Sequence, residues 1–502
     1  MSTQLLEIER KYEADVATAV PDLSGLPGVA GQTGPEEIQL EAEYYDTDDL
    51  RLLRAGITLR RRRGGGDEGW HLKLPAGPDA RQELHRPLGR SRVVPAEFAR
   101  LVRVQARTAP QRPVARIATV RRQRVLLDEA GNSLAEVADD TVSAQSMGDE
   151  TALSQWREIE VELTGGGRKL LAAADTRLRE AGLRSPGRAA KLERALADRL
   201  PAPSPRPPAD GLAGEVVLAY LGEQAAALKA FDPQVRRDAP DSVHQMRVAS
   251  RRLRSALQAF RQVLPPPDTE HLRGELKWLG EVLGAARDAE VLGEHVQDLL
   301  AHVPPDLLLG PVAADVTGQF APRRGAAHRA AVRALDSPRY LAMLDELDAL
   351  LAAPPVTEAA AAPGRSLRAD VARAYRRLRK RARRAEGLAD GPERDTALHE
   401  TRKAAKRARY AADALTPSAG KPAERFAALM KQIQSVLGDH HDTVAARAAI
   451  RDLGVQAHRA GENAFTYGLL YQLDAGRARV LSDEAAQVWR EARRKKHRRW
   501  LA

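Results

Sequence analysis

The chain has 502 residues, with 79 lysines and arginines against 68 aspartates and glutamates, and its formal net charge is +11. Hydrophobic residues make up 43% of the sequence, which excludes a disordered chain, and the absence of cysteine excludes disulfides, thiolate metal sites and thiol nucleophiles. No apolar run approaches the roughly 20 residues that span a bilayer, and the first residues do not form a secretory signal. We therefore expect a globular, cytoplasmic protein that is not embedded in a membrane.

A proline-rich segment divides the chain. Residues 201–210 read PAPSPRPPAD, and five prolines in ten residues prevent helix formation and favour a stiff, extended spacer. Residues 1–200 contain 31 basic and 31 acidic side chains, so the excess positive charge lies in the 48 basic and 37 acidic side chains that follow. We predict a first domain over residues 1–200, a linker over 201–210 and a second domain over 211–502.

The first domain shows the sequence period of β-strands. Polar and apolar residues alternate in short segments that clusters of Gly, Pro and Asp separate, and this pattern predicts antiparallel strands. Examples are Leu6–Glu9, Ile57–Arg60, His71–Leu74 and Glu158–Leu163.

Charged residues share one face of several of these strands, because residues two apart in a strand point to the same side. Carboxylates dominate the first and last strands, and cations dominate the middle ones. A closed barrel would turn these faces toward one lumen, where acids bind a divalent cation and bases bind phosphate oxygens. The alternative is a one-sided sheet whose charged face is solvated. The sets that share a face are Glu7, Glu9 and Lys11; Arg60 and Arg62; His71 and Lys73; Arg122 and Arg124; and Glu158, Glu160 and Glu162.

Six blocks of the first domain, in their order and spacing, resemble the CYTH family, the triphosphate tunnel metalloenzymes. The resemblance implies an eight-stranded antiparallel barrel that forms a tunnel. It also implies an enzyme that hydrolyses tripolyphosphate or thiamine triphosphate, or cyclises ATP. The blocks are Glu7-x-Glu9-x-Lys11, Tyr44–Thr47, Gly56–Arg62, Trp70–Leu74, Arg81–Glu83 and Glu158–Leu163.

The same resemblance implies roles for individual residues. Carboxylates of the first and last strands would bind Mg²⁺ or Mn²⁺, and Lys11 would orient or activate the attacking water beside Glu7 and Glu9. Two pairs on the last strand fit the family pattern, Glu158 with Glu160 and Glu160 with Glu162. The implied metal ligands are Glu7, Glu9, Glu158, Glu160 and Glu162. One acid among Glu136, Asp139 and Asp140 is a further candidate, and Asp140 is our choice among them. The residues implied to line the triphosphate path are Arg60, Arg62, Lys73, Arg122, Arg124 and Lys191.

The second domain has the composition and period of helices. Long segments rich in Ala, Leu and Arg are separated by proline-rich breaks, and they predict an all-α fold. Within it, His244–Arg254 matches His399–Arg409 at an offset of 155 residues, and Lys277–Asp288 matches Lys431–Asp442 at an offset of 154. Two blocks at nearly the same offset indicate a duplicated helical bundle, with repeats at about 211–355 and 365–502. The predicted fold class is therefore α+β, with a β-barrel domain followed by an all-α domain.

Each repeat carries a basic stripe that begins with a histidine, because residues at i, i+3, i+7 and i+10 share one helix face. The stripes are His244, Arg247, Arg251 and Arg254 in the first repeat, and His399, Arg402, Lys406 and Arg409 in the second. Like charges at this spacing repel, and a bound polyanion would relieve the repulsion. A solvated helix face is the alternative. Both interpretations also apply to the very basic helix Arg373–Arg384.

These stripes, with Leu283–Asp288 and Leu437–Asp442, resemble the CHAD family, named for its conserved-histidine α-helical domain, over about residues 211–502. The resemblance implies two pseudo-symmetric helical bundles whose basic inner faces bind inorganic polyphosphate. The residues that it implicates are those of both stripes, together with Lys277 and Lys431.

These patterns and resemblances predict a metal-dependent triphosphatase with inorganic tripolyphosphate as the first choice of substrate. They also predict a helical domain that binds inorganic polyphosphate, and an association of the protein with polyphosphate granules. The first alternative is a non-catalytic polyphosphate-binding protein that is targeted to granules. Further alternatives are a thiamine triphosphatase, an adenylate cyclase or a nucleic-acid binder. Aromatic residues make up only 4% of the sequence, which argues against the stacking surface that a nucleic-acid binder uses. The expected partners are thus polyphosphate and a triphosphate, without nucleic acid or membrane.

Overall fold

The computed structural model describes residues 3–15, 17–77, 80–148, 151–187, 190–200 and 211–501. The chain forms two compact units, Met1–Ser204 and Pro205–Ala502. The predicted linker at 201–210 lies outside the described residues, so the linker and the domain bounds remain predictions.

The first unit is a closed barrel of eight antiparallel strands. Their order around the barrel is β7-β3-β4-β5-β6-β1-β9-β8, and β8 pairs back with β7. A ninth, two-residue strand, β2, pairs with the end of β7. The eight-stranded antiparallel barrel is therefore confirmed. The strands are β1 (Thr3–Ala14), β2 (Gly31–Gln32), β3 (Glu36–Asp46), β4 (Thr58–Arg63), β5 (Gly69–Pro75), β6 (Ala80–Pro87), β7 (Arg112–Leu127), β8 (Ser133–Ser146) and β9 (Leu153–Leu163).

The barrel turns an apolar face outward and covers it with helices. The helices of this unit are α1 (Arg51–Arg54), α2 (Ala96–Ala106), α3 (Arg168–Glu180) and α4 (Lys191–Ala195). Trp70 of β5 belongs to one buried cluster with Phe98 of α2, and Ile159 of β9 belongs to another with Leu178 of α3. Because side chains alternate along a strand, burying the apolar side under helices leaves the charged side facing the lumen.

The second unit is all α, as predicted, and its helices repeat. Helices α5 to α8 correspond in order to α10, α11, α13 and α14, and α5 and α7 each begin 155 residues before their counterparts. None of the described helices is both long and apolar enough to cross a membrane. The helices are α5 (Ala213–Arg236), α6 (Ser242–Ala259), α7 (Pro266–Ala301), α8 (Val312–Leu335), α9 (Pro338–Ala352), α10 (Arg368–Glu386), α11 (Pro392–Asp413), α12 (Thr416–Ala419), α13 (Lys421–Arg459) and α14 (Phe465–Ala492).

The two helical repeats share a core. Val296 of α7 and Phe320 of α8 lie in one buried cluster with Ile450 of α13 and Tyr467 of α14. Helix α6 of the first repeat also contacts α11 of the second. This packing brings the two stripe-bearing helices together within one unit.

Candidate functional site

The lumen of the barrel contains a cavity of about 430 Å³ whose walls are mostly charged. Seven strands contribute charged side chains, and Lys191 enters from the start of α4. The charged strand faces therefore point inward, which excludes the one-sided solvated sheet. The charged lining residues are Glu7, Glu9, Lys11, Arg60, Arg62, Asp67, Lys73, Arg81, Glu83, Arg121, Glu136, Glu160, Glu162 and Lys191.

Four carboxylates on neighbouring strands form what we call the acid row: Glu7, Glu9, Glu136 and Glu162. Glu9 lies opposite Glu162 in the β1–β9 ladder, and Glu162 lies opposite Glu136 in the β8–β9 ladder. Glu7 is buried, with Oε1 against Lys73 and with no hydrogen-bond partner for Oε2 among the described residues. Burial and the charges of Glu7 and Glu9 raise the pKa of Glu162 to about 8. Crowded carboxylates with free oxygens fit a hard divalent cation.

A second group of carboxylates consists of Asp140, Glu158 and Glu160, whose oxygen atoms lie within 4.8 Å of one another. This group is already neutralised by cations of the protein. Lys191 Nζ lies 2.9 Å from Asp140 and 2.7 Å from both Glu158 and Glu160, and Arg121 donates two hydrogen bonds to Asp140. Burial opposes ionisation, yet the surrounding ammonium and guanidinium groups hold the pKa of Glu160 well below its usual range.

Lys11 connects the two carboxylate groups. Its Nζ contacts Glu160 and lies 3.2 Å from Glu9. Burial alone would lower the pKa of Lys11, but Glu160, Glu9 and Glu158 together raise it well above its usual value. These carboxylates favour the charged form of Lys11, and an ammonium group at this place can orient a water molecule.

The cations that face the lumen are crowded as well. Arg60 Nη1 donates to the Tyr44 hydroxyl at 3.4 Å, and Glu83 lies 3.9 Å from Arg60 Nη2. Burial and the charge of Arg60 lower the pKa of Arg62 to about 9. A phosphate group between these side chains would relieve their repulsion.

Two residues that were predicted to line the triphosphate path lie outside the barrel. Arg122 is exposed on the outer face of β7, with its Nε 3.4 Å from Glu37, and Arg124 shares that face. The prediction is wrong because it placed the inward face of β7 one residue out of phase. The lining residues of β7 are Ile117, Thr119, Arg121 and Gln123.

The barrel also places residues in the lumen that sequence reasoning missed. Arg121 lies two steps of two from Ile117 on the inward face of β7, but the sequence leaves the phase of that strand open. Glu136 belongs to the acidic segment from which Asp140 was chosen as a further ligand, and the structure places Glu136 in the lumen beside Glu162. That choice depends on the register between two strands, which the sequence does not reveal.

The two basic stripes of the helical unit meet where α6 packs against α11. Arg251 Nε donates a hydrogen bond to the Tyr410 hydroxyl at 2.9 Å. The guanidinium groups of Arg252 and Arg409 also lie over the Tyr410 ring, 5.7 Å and 5.6 Å from its centroid. The stripes are therefore parts of one surface, which we call the basic face.

The basic face carries few neutralising acids. Burial and the charges of Arg402, Arg251 and Arg247 lower the pKa of Lys406 to about 6. Burial, together with neighbouring positive charge, also lowers the pKa values of Arg247, Arg254 and Arg402. These shifts mean that the cations repel one another, and a bound anion would relieve that repulsion.

Two glycines make room for arginines of the basic face. A Cβ atom on Gly438 would lie 2.8 Å from Arg402, and one on Gly284 would lie 3.3 Å from Arg247. Both glycines lie inside long helices, where glycine costs about 1 kcal/mol relative to alanine. The close approach of each guanidinium explains why glycine occupies both positions.

The remaining predicted residues of the helical unit lie around this face. Burial lowers the pKa of His244, and burial together with His441 lowers that of His399 to about 4. The rings of His399 and His441 stack with their centroids 4.1 Å apart. Lys277 and Lys431 are exposed on α7 and α13.

The chain thus combines a closed barrel that has a charged lumen with a duplicated helical bundle that has a cationic face. The sequence model of the CYTH domain matches residues 5–194, and that of the CHAD domain matches residues 219–451. The chain is 41% identical over 492 residues to the uncharacterized protein Rv2226 of Mycobacterium tuberculosis, and the match covers 94% of this chain and 93% of that protein. The protein therefore belongs to the family in which a CYTH domain is followed by a CHAD domain.

Solved structures resemble each unit separately. The CHAD domain from the plant Ricinus communis is 29% identical, and the match covers 58% of this chain and 96% of that one, with a TM-score of 0.45. The Hippeastrum protein HpAC1, a putative adenylyl cyclase described as having a dominant triphosphatase activity, is 16% identical, with 40% of this chain and 98% of that one covered and a TM-score of 0.24. CYTH domains are divalent-metal-dependent triphosphate tunnel metalloenzymes, and CHAD domains are linked to polyphosphate.

Proposed function

We propose that the barrel hydrolyses a short triphosphate, inorganic tripolyphosphate, with Mg²⁺ or Mn²⁺, and that the helical unit binds inorganic polyphosphate. The observation that carries the first part is that the acid row and the arginines of β4 line one cavity from opposite sides of the barrel. Strand β9, which bears Glu162, lies four strands away from β4, which bears Arg60 and Arg62, and four strands is half of the barrel. Metal ligands and phosphate ligands thus face each other across one cavity.

The acid row supplies the metal ligands in this proposal. Glu7, Glu9 and Glu162 would hold the cation, with Glu136 beside them, because these carboxylates have fewer cationic partners than the group around Lys191. A bound divalent cation would neutralise phosphate charge and help to place the attacking water. Lys11, which is protonated and lies 3.2 Å from Glu9, would orient that water.

The cations of the lumen would hold the triphosphate in line. Arg60, Arg62 and Lys73, which line the cavity, would contact the phosphates. Arg121 would do so in place of the two arginines on the outside of β7. Phosphoryl transfer depends on positioning and charge neutralisation more than on covalent chemistry by the protein, which suits a site made of fixed charges.

Polyphosphate binding by the helical unit is supported by the lowered pKa values of the basic face. A chain of phosphates would place negative charge along both stripes at once, and each arginine can bind phosphate oxygens through two N–H groups. The side chains proposed to contact the polymer are the two stripes, with Lys277 and Lys431 at their edge.

Phosphate release from tripolyphosphate, thiamine triphosphate and ATP, measured with Mg²⁺, with Mn²⁺ and with chelator, tests the proposal. We expect the highest kcat/KM for tripolyphosphate and no turnover with chelator. Faster hydrolysis of thiamine triphosphate would overturn the choice of substrate. Polyphosphate retention without turnover of any triphosphate would favour the non-catalytic alternative.

A further inference from the structure

A second cationic pocket lies beyond one end of the basic face. A cavity of about 100 Å³ opens between α6, α10 and α11, and we call it the arginine pocket. Its lining includes four arginines, Arg261, Arg373, Arg377 and Arg407, and one carboxylate, Asp370. Asp370 is buried and lies 3.0 Å from Arg373. Among the described residues, the other three guanidinium groups have no carboxylate within ion-pair distance, so the pocket keeps a net positive charge.

The internal repeat supplies a natural comparison for this pocket. Its lining residues have counterparts 155 residues away in the other repeat, where α5 packs against α6 as α10 packs against α11. Three alanines and one arginine of the lining are identical to their counterparts at that offset. This identity supports the alignment of the arginine pocket with the counterpart position. The pairs that differ are Asp370 with Glu215, Arg373 with Leu218, Arg377 with Gly222, Arg261 with Thr416, Gln258 with Asp413 and Ser255 with Tyr410.

At the counterpart position the arginine has a carboxylate of its own. There Arg252, the counterpart of Arg407, lies 3.7 Å from Asp413 and stacks on Tyr410. In the arginine pocket Gln258 stands in place of that aspartate, so Arg407 is left without the carboxylate. The same pair of helices therefore ends in an ion pair on one side and in a cluster of guanidinium groups on the other.

The arginine pocket is continuous with the basic face. Ser255 follows Arg254, the last residue of the first stripe, and Gln258 lies one helical turn beyond it. Burial and the nearby charge of Arg407 lower the pKa of Arg254, so the two guanidinium groups interact electrostatically. A polyphosphate chain bound along the first stripe can therefore continue into the arginine pocket without interruption.

We infer that the arginine pocket binds a phosphate group of a polyphosphate chain and extends the basic face at one end only. This inference rests on the proposed polyphosphate binding by the helical unit. Guanidinium groups bind phosphate oxygens in a two-bond geometry, and several of them around one cavity favour a multiply charged oxyanion. The two repeats differ in charge at this position. The arginine pocket has four arginines and one carboxylate, whereas its counterpart has one arginine and two carboxylates.

The test compares two double variants of the full-length protein that each lose two positive charges. Arg377→Gln/Arg407→Gln removes guanidinium groups from the pocket, whereas Arg376→Gln/Lys380→Gln removes exposed charges of α10 that do not line it. We expect the pocket variant to bind long-chain polyphosphate about tenfold more weakly. We also expect the slope of log K against log salt concentration to fall by about one to two, as for one or two lost phosphate contacts. The control should change affinity less than about twofold.

A third variant keeps all the arginines. Gln258→Asp copies the carboxylate of the counterpart position, and we expect it to weaken polyphosphate binding severalfold by pairing with Arg407. Equal losses in the pocket variant and its control would overturn the inference, and so would an unchanged affinity in both the pocket variant and Gln258→Asp. Another outcome is that the pocket variant keeps its polyphosphate affinity but that orthophosphate no longer weakens polyphosphate binding. In that case the pocket binds free phosphate, the polyphosphate chain does not extend into it, and the inference is overturned. Failure of the wild-type protein to bind polyphosphate would instead overturn the proposed function of the helical unit.

Discussion

Two half-buried lysines show how different the surroundings of positive charge are in the two units. In the barrel, Lys11 lies against Glu160 and Glu9, and these carboxylates raise its pKa despite burial. In the helical unit, Lys406 lies among arginines, and burial and their charges lower its pKa to about 6. Charged side chains in the lumen are thus largely neutralised by one another. A ligand that binds there must replace some of these ion pairs. Cations of the basic face are less completely balanced by carboxylates of the protein. This arrangement suits the binding of an external anion rather than catalysis.

Charge reversal on the basic face should separate the two units most clearly. Arg251→Glu/Lys406→Glu places acids between the remaining cations, and we expect polyphosphate affinity to fall by at least about 100-fold. Tripolyphosphate hydrolysis should stay within about twofold, since the lumen is built from other residues. Retention of labelled polyphosphate and release of phosphate are measured on the same preparation, with Arg376→Glu/Lys380→Glu as the matched control. A parallel loss of hydrolysis would contradict the separation of roles.

Two adjacent arginines of β7 provide a matched pair within the barrel. Arg121 faces the lumen and contacts Asp140 and Glu160, whereas Arg122 is exposed outside. We expect Arg121→Gln to lower kcat/KM for tripolyphosphate about 100-fold, because a lumen cation and its carboxylate contacts are lost. Arg122→Gln should leave kcat/KM unchanged. Similar losses in both variants would mean that the lumen is not the site of hydrolysis.

This pair also shows where sequence reasoning succeeded and where it failed in the barrel. Glu7, Glu9 and Lys11 were placed correctly on one face, because a short motif fixes relative positions by parity alone. Arg122 and Arg124 were placed on the wrong face, since four charged or polar residues in a row leave the phase of a strand open. Burial of Ile117 and its neighbours decides that phase, and burial is a property of the closed barrel.

In the helical unit, the sequence predicted the internal duplication but not the side-chain contacts between the repeats. The offset between His244 and His399 predicted the duplication, and the fold confirms it. Tyr410, which holds Arg251, was missed because the contact crosses from one repeat to the other. The arginine pocket likewise depends on three helices that are separated in the chain.

Filling the space that Gly438 leaves beside Arg402 should weaken polyphosphate binding moderately. Gly438→Ala would place a methyl group 2.8 Å from the guanidinium, which must then move. We expect polyphosphate binding to weaken about fivefold while the melting temperature stays equal or rises, since alanine favours helix by about 1 kcal/mol. Gly468→Ala is the control, because a Cβ there meets no atom within 4 Å. A lower melting temperature in Gly438→Ala alone would point to a packing role instead.

The smallest effect concerns proton uptake at Lys406. Its pKa of about 6 means that the unbound side chain is mostly neutral at pH 7, and a bound polyanion would raise that pKa. Polyphosphate affinity should therefore fall as pH rises from 6 to 8, by less than about tenfold per pH unit, with about one proton taken up on binding. Calorimetry in buffers of different ionisation enthalpy measures the uptake. Lys406→Arg, which stays charged, should abolish most of it, and unchanged uptake in that variant would contradict the assignment.

Hydrolysis of tripolyphosphate by Glu7→Gln/Glu9→Gln, compared with the wild-type protein, tests the central claim most directly. The substitution removes two charges of the acid row but keeps the size of both side chains and leaves the helical unit unchanged. We expect kcat/KM with Mg²⁺ or Mn²⁺ to fall by at least about 1,000-fold, while polyphosphate affinity changes less than about twofold. Wild-type turnover that survives in the variant would contradict the assignment of metal-dependent hydrolysis to the lumen.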